Sequence, residues 1–278
     1  MKSYKEIKAK KNENNLPFKF MIILIILLIK KTKEQVIRMT EEEKIYKIEI
    51  SITIIEKGNI QIINEKYINN ISEIIVNGTT QNNITSFIYN DSDDIMNNII
   101  IKFKDKLESC EEMFYKLSNI IYIDLSQFDF SCVTNMNKMF YECTSLISLD
   151  LRNINATSVI SMEYMFYKCS SLKSLNLSNF NSLSVNNTQK MFESCTSLIS
   201  LDLNGFNTSS VKKMFYMFSE CSSLITLDLS HFDTSSVKDM NGMFNGCNKL
   251  VSIDLSGFDT SSVTDMQYMF YKCYSLKF

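Results

Sequence analysis

The chain has few of the residues on which enzymes and metal sites most often depend. Its 278 residues include one histidine, six glycines, one proline and no tryptophan. No glycine-rich phosphate-binding loop is present, and no two cysteines have the C-x-x-C spacing of a typical zinc site. The net charge of −2 lacks the basic excess of nucleic-acid-binding domains. The sequence therefore predicts a protein that is not an enzyme, needs no cofactor or metal, and does not bind nucleic acid.

What the sequence does contain is a repeat of 26 residues. A Met-Phe pair recurs at this period without a slip, and a cysteine follows each pair from the second copy onward. The pairs are Met113-Phe114, Met139-Phe140, Met165-Phe166, Met191-Phe192, Met217-Phe218, Met243-Phe244 and Met269-Phe270; the cysteines are Cys143, Cys169, Cys195, Cys221, Cys247 and Cys273. A fixed period of this length is typical of proteins built from stacked structural repeats.

Each repeat combines two hydrophobic patterns. Leu227-Asp228-Leu229 alternates with period two, as a short strand with one buried face does. The apolar positions between Val237 and Cys247 follow at i, i+3, i+6, i+7 and i+10, which favours a short helix. Parallel strands lie about 4.8 Å apart, whereas packed helices need about 8–10 Å. We therefore expect an α/β fold that bends, with the strands on its concave side and the helices outside.

These residues also carry a family resemblance. Leu224-x-x-Leu227-x-Leu229 resembles the strand segment of leucine-rich repeats, and the longer pattern from Ile253 through Met269-Phe270 to Cys273 resembles the BspA-type leucine-rich-repeat surface proteins. The resemblance covers about residues 98–278 and departs from the common leucine at Ile253. It implies a leucine-rich-repeat-like solenoid that is surface-exposed or secreted, has an adhesive or binding role, and has no catalytic residues.

The domain organisation follows from changes in pattern along the chain. Residues 98–278 are predicted to form one degenerate and six full repeats, ending at Phe278 without a C-terminal cap. Residues 45–97 have short β patterns, including the hairpin dipeptide Asn77-Gly78, and are expected to form a β-rich cap over the first repeat. The alternative for this segment is a separate binding domain. Residues 31–44 are charged and are interpreted as a linker.

Residues 1–30 are predicted to be a signal peptide or an N-terminal signal anchor. A lysine-rich start precedes ten apolar residues, Phe20 to Ile29. In a helix these would span about 15 Å, half the thickness of the hydrocarbon core of a bilayer. The remaining alternative is a buried strand. Membrane contact is expected only through residues 18–30, if the leader is not cleaved.

Two rows of polar residues on the predicted strands form the candidate binding face. One, here called the aspartate row, consists of Asp124, Asp150, Asn176, Asp202, Asp228 and Asp254; the other, the hydroxyl row, consists of Ser148, Ser174, Ser200, Thr226 and Ser252. Like charges about 5 Å apart repel, so the aspartates need hydrogen-bond donors, cations or a basic partner. Hydroxyl groups of the neighbouring row can serve as donors, and a straight row does not converge on one calcium ion.

The cysteine row, Cys143, Cys169, Cys195, Cys221, Cys247 and Cys273, is predicted to be structural. If each cysteine ends a helix, neighbouring Cα atoms lie about 8–10 Å apart, too far for a disulfide. We therefore expect buried free thiols in a core position. Cys132 replaces a serine found in the other copies and is either a reactive thiol at a helix start or a simple substitution. His231, the single histidine, is expected to be an exposed loop residue.

Two functions are compatible with this sequence. The first is a surface or secreted protein that presents its repeated strand face to a protein or glycan ligand. The second is an intracellular or membrane-tethered scaffold for protein–protein interaction. Eight cysteines without an evident disulfide pairing suit a reducing compartment and keep the second alternative open.

Overall fold

A computed structural model describes residues 49–54, 58–81, 86–89, 97–151 and 154–277. They belong to one compact unit, residues 46–278. The predicted leader 1–30 and linker 31–44 lie outside the described residues. The described part consists mostly of short strands in small sheets, with almost no helix and a regular repeat spacing.

The first six strands precede the full repeats and pair antiparallel. They are β1 (Glu49–Ile54), β2 (Gly58–Gln61), β3 (Ile71–Val76), β4 (Thr79–Gln81), β5 (Ser86–Tyr89) and β6 (Asn97–Phe103). The hairpin β3–β4 turns through Asn77 and Gly78, whose φ angles of 49° and 84° are both positive, as in a type I′ turn. β3 pairs with β6 and β6 with β1, while β2 pairs with β5.

Each later repeat contributes one short strand. These are β7 (Ile120–Asp124), β8 (Ser148–Asp150), β9 (Ser174–Asn176), β10 (Ser200–Asp202), β11 (Thr226–Asp228) and β12 (Ser252–Asp254). β7 pairs with β8, β9 with β10 and β11 with β12, all parallel. Equivalent residues face each other, for example Leu227 and Ile253. The sequence period is therefore also the spatial step between copies.

The strand of the degenerate first repeat does not lie where the sequence period predicted. Ile99, Ile101 and Phe103 do form a strand, β6, but β6 is not the parallel neighbour of β7. β1 lies between them and is antiparallel to both. The parallel strands therefore begin at β7, whose outer edge is paired by β1 and not left open.

The predicted outer helices are not present in the described repeats, and this part of the fold prediction was wrong. The segment between Val237 and Cys247, like its equivalents, is a succession of turns. In the copy starting at Met136, alternate N–H groups close turns onto the carbonyl three residues earlier, as from Met139 to Met136. The N–H groups between them donate to the next repeat, 25 residues on; the pairs are Met136–Ser161 (3.0 Å), Lys138–Glu163 (2.8 Å), Phe140–Met165 (2.9 Å) and Glu142–Tyr167 (2.8 Å). Each of these backbone donors is thus paired without a helix.

Two residues of each turn segment have a left-handed backbone. In the second copy they are Lys138 and Glu142, each with a φ of 55°. The equivalent positions are Glu112 and Lys116, Tyr164 and Lys168, Lys190 and Ser194, Tyr216 and Glu220, Gly242 and Gly246, and Tyr268 and Lys272. Such φ values are costly for a residue with a Cβ, about 1–2 kcal/mol. They redirect alternate N–H groups outward, to the neighbouring repeat.

This backbone allows a test by exchange at one repeat position. Ser194 (φ 63°) and Gly246 (φ 77°) are equivalent. Ser194→Gly relieves the left-handed strain, and because glycine loses more entropy on folding, we expect a net gain of less than about 1 kcal/mol in the free energy of unfolding. Gly246→Ala should lose about 1–2 kcal/mol, because its Cβ is strained and would lie 2.5 Å from the Glu220 carboxylate. Urea unfolding of both variants measures this; a loss at Ser194→Gly would contradict it.

The core follows the same step on both sides of the repeat. Phe114, Phe140, Phe166, Phe192, Phe218, Phe244 and Phe270 form a stack with ring centroids 5.3–5.7 Å apart and planes within 9° of parallel. This spacing is close to that of strands and far below that of packed helices. The predicted mismatch between a strand side and a helix side, which was the reason to expect a bend, is therefore absent.

The segment Asn64–Tyr67 covers the first turn segment. In later copies, carbonyls of this segment accept N–H groups from the preceding repeat. For the first copy, the Asn64 N–H donates to the Met113 carbonyl at 2.9 Å. The buried Tyr67 hydroxyl lies 3.2 Å from the Ser109 carbonyl and 2.8 Å from that of Glu111. The N-terminal part of the compact unit thus occupies the place of a preceding repeat, as a cap does.

Candidate functional site

The aspartate and hydroxyl rows lie on the surface of the repeat strands. All five members of the hydroxyl row are exposed, from Ser148 to Ser252. In the aspartate row, Asn176, Asp228 and Asp254 are exposed and the other members are half-buried. The parallel register brings equivalent members side by side, as with Ser200 and Ser174. The structure thus places the candidate residues together, one set per repeat.

The aspartate row is used locally to close turns. The side-chain oxygen of Asp228 accepts the backbone N–H of Ser230 at 3.0 Å, and Asn176 accepts that of Ser178 at 2.8 Å. The same bond joins Asp124 to Ser126, Asp202 to Asn204 and Asp254 to Ser256. The donors are backbone groups two residues on, and not the hydroxyl row. An amide serves as well as a carboxylate, which accounts for Asn176.

These hydrogen bonds keep the exposed carboxylates ionised. The backbone N–H of Ser230 and, next, its hydroxyl lower the pKa of Asp228 below its ordinary value. The same two groups of Ser256 lower the pKa of Asp254. The row therefore carries its full negative charge at neutral pH. Its members Asp202, Asp228 and Asp254 make no ion pair within the described residues.

A row of apolar residues beside these two was missed by the sequence reasoning. The residue before each hydroxyl position is Ile147, Ile199 or Ile225 in three copies, and these side chains are 45–53% exposed. We call the isoleucine row Ile121, Ile147, Lys173, Ile199, Ile225 and Val251. The signal was present in the sequence, because a repeated isoleucine stands directly outside the core positions of the template.

The three rows meet in one shallow depression. It is lined by Ile199, Ser200, Asp202, Thr226 and Asp228, together with neighbouring backbone from Leu201 to Asn204. Apolar, hydroxyl and carboxylate groups are thus available to one ligand over two adjacent repeats. We refer to the surface formed by the three rows as the strand face.

The turn segments form a second surface with a different composition. Tyr115, Tyr141 and Tyr167 stack with ring centroids 4.9 and 4.7 Å apart. Lys168 pairs with Glu142 at 3.2 Å, and Lys190 lies over the rings of Tyr164 and Tyr216 at 5.5 and 5.1 Å. The charges of this surface therefore neutralise one another between repeats. The less compensated charge lies on the strand face.

The cysteine row has a structural role that the sequence did not reveal. Each of its thiols donates to the carbonyl of a phenylalanine 29 residues earlier; the Sγ–O distances are 2.9–3.2 Å from Cys143, Cys169, Cys195, Cys221, Cys247 and Cys273. The same phenylalanine carbonyl accepts the N–H of the next cysteine in its own repeat, as at Phe140. The sequence argument from helix spacing does not apply, since the helices are absent. All eight cysteines are free.

Thiol reactivity should separate Cys132 from the others. Burial raises the pKa of Cys143 and Cys195 to about 12, so at pH 8 only about 1 in 10⁴ of these thiols is ionised. Cys132 is exposed. We expect native protein to react rapidly with Ellman's reagent at one thiol and denatured protein at eight. Cys132→Ser should abolish the rapid phase; several fast thiols in that variant would contradict the buried row.

The remaining sequence candidates have local explanations. Cys132 Sγ lies 3.9 Å from the Ser131 hydroxyl and has no histidine or cation among its printed contacts. His231 is exposed and its Nε2 lies 2.8 Å from the Leu203 carbonyl, an acceptor, so this nitrogen donates. It reaches there past Gly205, where a Cβ would lie 2.0 Å from the Ser178 carbonyl oxygen. Among the described residues, no cluster of three or more His, Cys, Asp or Glu is arranged to hold a metal.

The described residues also bear on the membrane prediction only in part. No helix among them combines the length and the apolar character needed to cross a bilayer. The leader, on which the signal and anchor predictions rest, is not among them.

Comparison with known proteins gives one result. Searches of curated proteins and of solved structures found no match. A family model described as "Mycoplasma protein of unknown function, DUF285" matches residues 108–225 and 195–278. The two matches together cover more than half of the chain and coincide with the repeats of cysteine and phenylalanine described above. The chain therefore belongs to this family of repeat proteins, DUF285.

Proposed function

We propose that this chain is a non-catalytic binding protein, displayed at the cell surface or secreted, whose strand face binds a protein or glycan ligand. Its repeats, in this proposal, form a leucine-rich-repeat-like solenoid related to the BspA-type surface proteins. The observation that carries the proposal is the strand face itself. Exposed isoleucine, hydroxyl and carboxylate groups recur there in register, although packing of the core requires none of them.

A repeated face favours binding by many weak contacts. Each repeat contributes one small set of groups, and neighbouring sets lie one strand spacing apart. Exposed isoleucines offer apolar area that would be gained on binding, while carboxylates and hydroxyls supply specificity. The other surface has lysines and glutamates that are already paired between repeats. The strand face is thus the better candidate for a ligand.

Binding can be tested by placing a photo-crosslinker at one position of the strand face. Ser200 lies in the depression, and exposed Lys238, in the following turn segment, is a matched control. We expect irradiation of cells that express the protein to give a discrete adduct from position 200 and none from position 238. Absence of an adduct from position 200, or equal adducts from both, would overturn the assignment of the face.

Location is tested separately with a membrane-impermeant lysine label on intact cells. Lys173, Lys212 and Lys238 are all exposed in the folded protein. Labelling of these residues before lysis supports display at the surface. Labelling only after lysis would favour the second candidate, an intracellular or membrane-tethered scaffold. The observation behind that candidate is the set of eight free cysteines, which suits a reducing compartment.

A further inference from the structure

We infer that the ligand of the strand face is an amphipathic basic helix that lies along the repeats. The inference deepens the proposed function and rests on it. Its starting point is the pairing of two parallel rows, one apolar and one acidic. Ile199 and Asp202 of one repeat, and Asp228 of the next, line the same depression. A ligand that fits them needs an apolar stripe next to a basic stripe.

Charge complementarity selects the basic stripe. The aspartate row places five carboxylates in six copies, and the isoleucine row beside it contributes one lysine, Lys173. Asp202, Asp228 and Asp254 have no ion-pair partner within the described residues. A cationic partner would therefore relieve the repulsion between neighbouring carboxylates and gain attraction at every repeat.

The step between repeats selects the helix. Successive copies are separated by 5.3–5.7 Å at the phenylalanine stack, and by about 4.8 Å at the strands. On a helix, side chains on one face recur every three or four residues, a rise of about 4.5–6 Å. An extended strand presents one side every 6.6–6.8 Å or so. A strand would therefore fall out of register within a few repeats, whereas the long lysine side chains of a helix absorb the smaller difference.

The available length also suits a helix. From Asp150 to Asp254 the row takes four steps of about 5 Å, so it extends over about 20 Å. A helix of about 14 residues covers this distance and carries four or five lysines on one face. Three exposed isoleucines, Ile147, Ile199 and Ile225, provide the apolar contact that a helix-in-groove partner uses as anchors.

The chain supplies variants that remove charge while keeping the turns. Asn176 already accepts the same backbone N–H as its aspartate equivalents. Asp202→Asn with Asp228→Asn therefore removes two charges from the strand face and retains the hydrogen bonds. Asp233→Asn with Asp259→Asn removes two charges at another repeat position, where Asn207 likewise bonds the N–H two residues on. The second pair is the matched control.

The test uses fluorescence anisotropy with an 18-residue designed peptide that carries lysine and leucine stripes at helical spacing. Its controls are a scrambled peptide of the same composition and a variant with two central prolines. The full chain should bind the striped peptide at least tenfold more tightly than either control, less tightly in higher salt. The Asp202→Asn, Asp228→Asn protein should lose at least fivefold in affinity, and the Asp233→Asn, Asp259→Asn protein less than twofold.

Three outcomes would overturn the inference: equal binding of the striped and scrambled peptides, undiminished binding of the proline peptide, or equal losses in the two double variants. A failure of the peptide to bind while position 200 still forms a crosslinked adduct would refute the basic helix and leave the strand face as a binding surface. Failure of both would refute the face as well.

Discussion

Phe192→Ala should lower the free energy of unfolding by about 3–5 kcal/mol. The ring of Phe192 is fully buried and lies between those of Phe166 and Phe218, with centroids 5.3 and 5.7 Å away. Its removal takes a large apolar side chain from the core and interrupts a parallel stack on both sides. The neighbouring repeats are held at this spacing by backbone hydrogen bonds, so they cannot close the cavity.

Urea unfolding measures the loss, and two variants serve as controls. Phe270→Ala affects the same stack in the last copy, where the ring is half-buried and has one stacking neighbour, Phe244. Its loss should be about half as large. Tyr141→Ala removes a ring from the outer stack and should cost about 0.5–1.5 kcal/mol. A loss at Phe192 no larger than at Tyr141 would contradict the central role of the inner stack.

The sequence predicted the core positions of this fold better than it predicted the backbone between them. Phenylalanine, methionine and cysteine at one period require that equivalent residues pack on each other, whatever the local conformation. The spacing i, i+3, i+6, i+7 and i+10 was interpreted as a helix face. Turns closed by bonds to the residue three earlier place side chains at nearly the same spacing. Hydrophobic periodicity alone cannot distinguish the two.

The information that decides between them lies in residues that carry no obvious signal. Left-handed positions are usually marked by glycine, but here only Gly242 and Gly246 mark them among the repeats. Lysine, glutamate and tyrosine occupy the others. Each gains contacts with its equivalents in neighbouring copies, such as the pair of Glu142 with Lys168. Contacts between repeats thus offset local strain, which a reading of one repeat cannot show.

The candidate binding face was predicted in part for a similar reason. The polar rows of the strands follow from alternation and were placed together. Their hydrogen bonding was not, because the donors to Asp228 and its equivalents are backbone groups two residues on and not the hydroxyl row. The isoleucine row was overlooked because apolar residues were assigned to the core. Exposure, and not hydrophobicity, is what identifies Ile199 and Ile225 as available to a ligand.

Deletion of one whole repeat should leave a folded protein, whereas deletion of half a repeat should not. Removing residues 196–221 joins Cys195 to Ser222 and shortens the chain by one period of 26 residues. Phe192 would then stack on Phe244 in place of Phe218, and its N–H would meet the carbonyl of Met269's equivalent one copy earlier, that of Met243. Every contact between copies is thereby replaced by one of the same kind.

Removal of residues 196–208, half a period, places strand positions against turn positions. Core residues would then oppose polar ones, and the hydrogen bonds between copies could not form along the rest of the chain. We expect the shorter deletion to abolish cooperative unfolding. The longer deletion should retain it, with a urea m-value reduced roughly in proportion to the surface removed. Circular dichroism and urea unfolding of both proteins test this. If both deletions unfolded the protein alike, the copies would not be interchangeable units, and a binding face made of equal repeats would lose its structural basis.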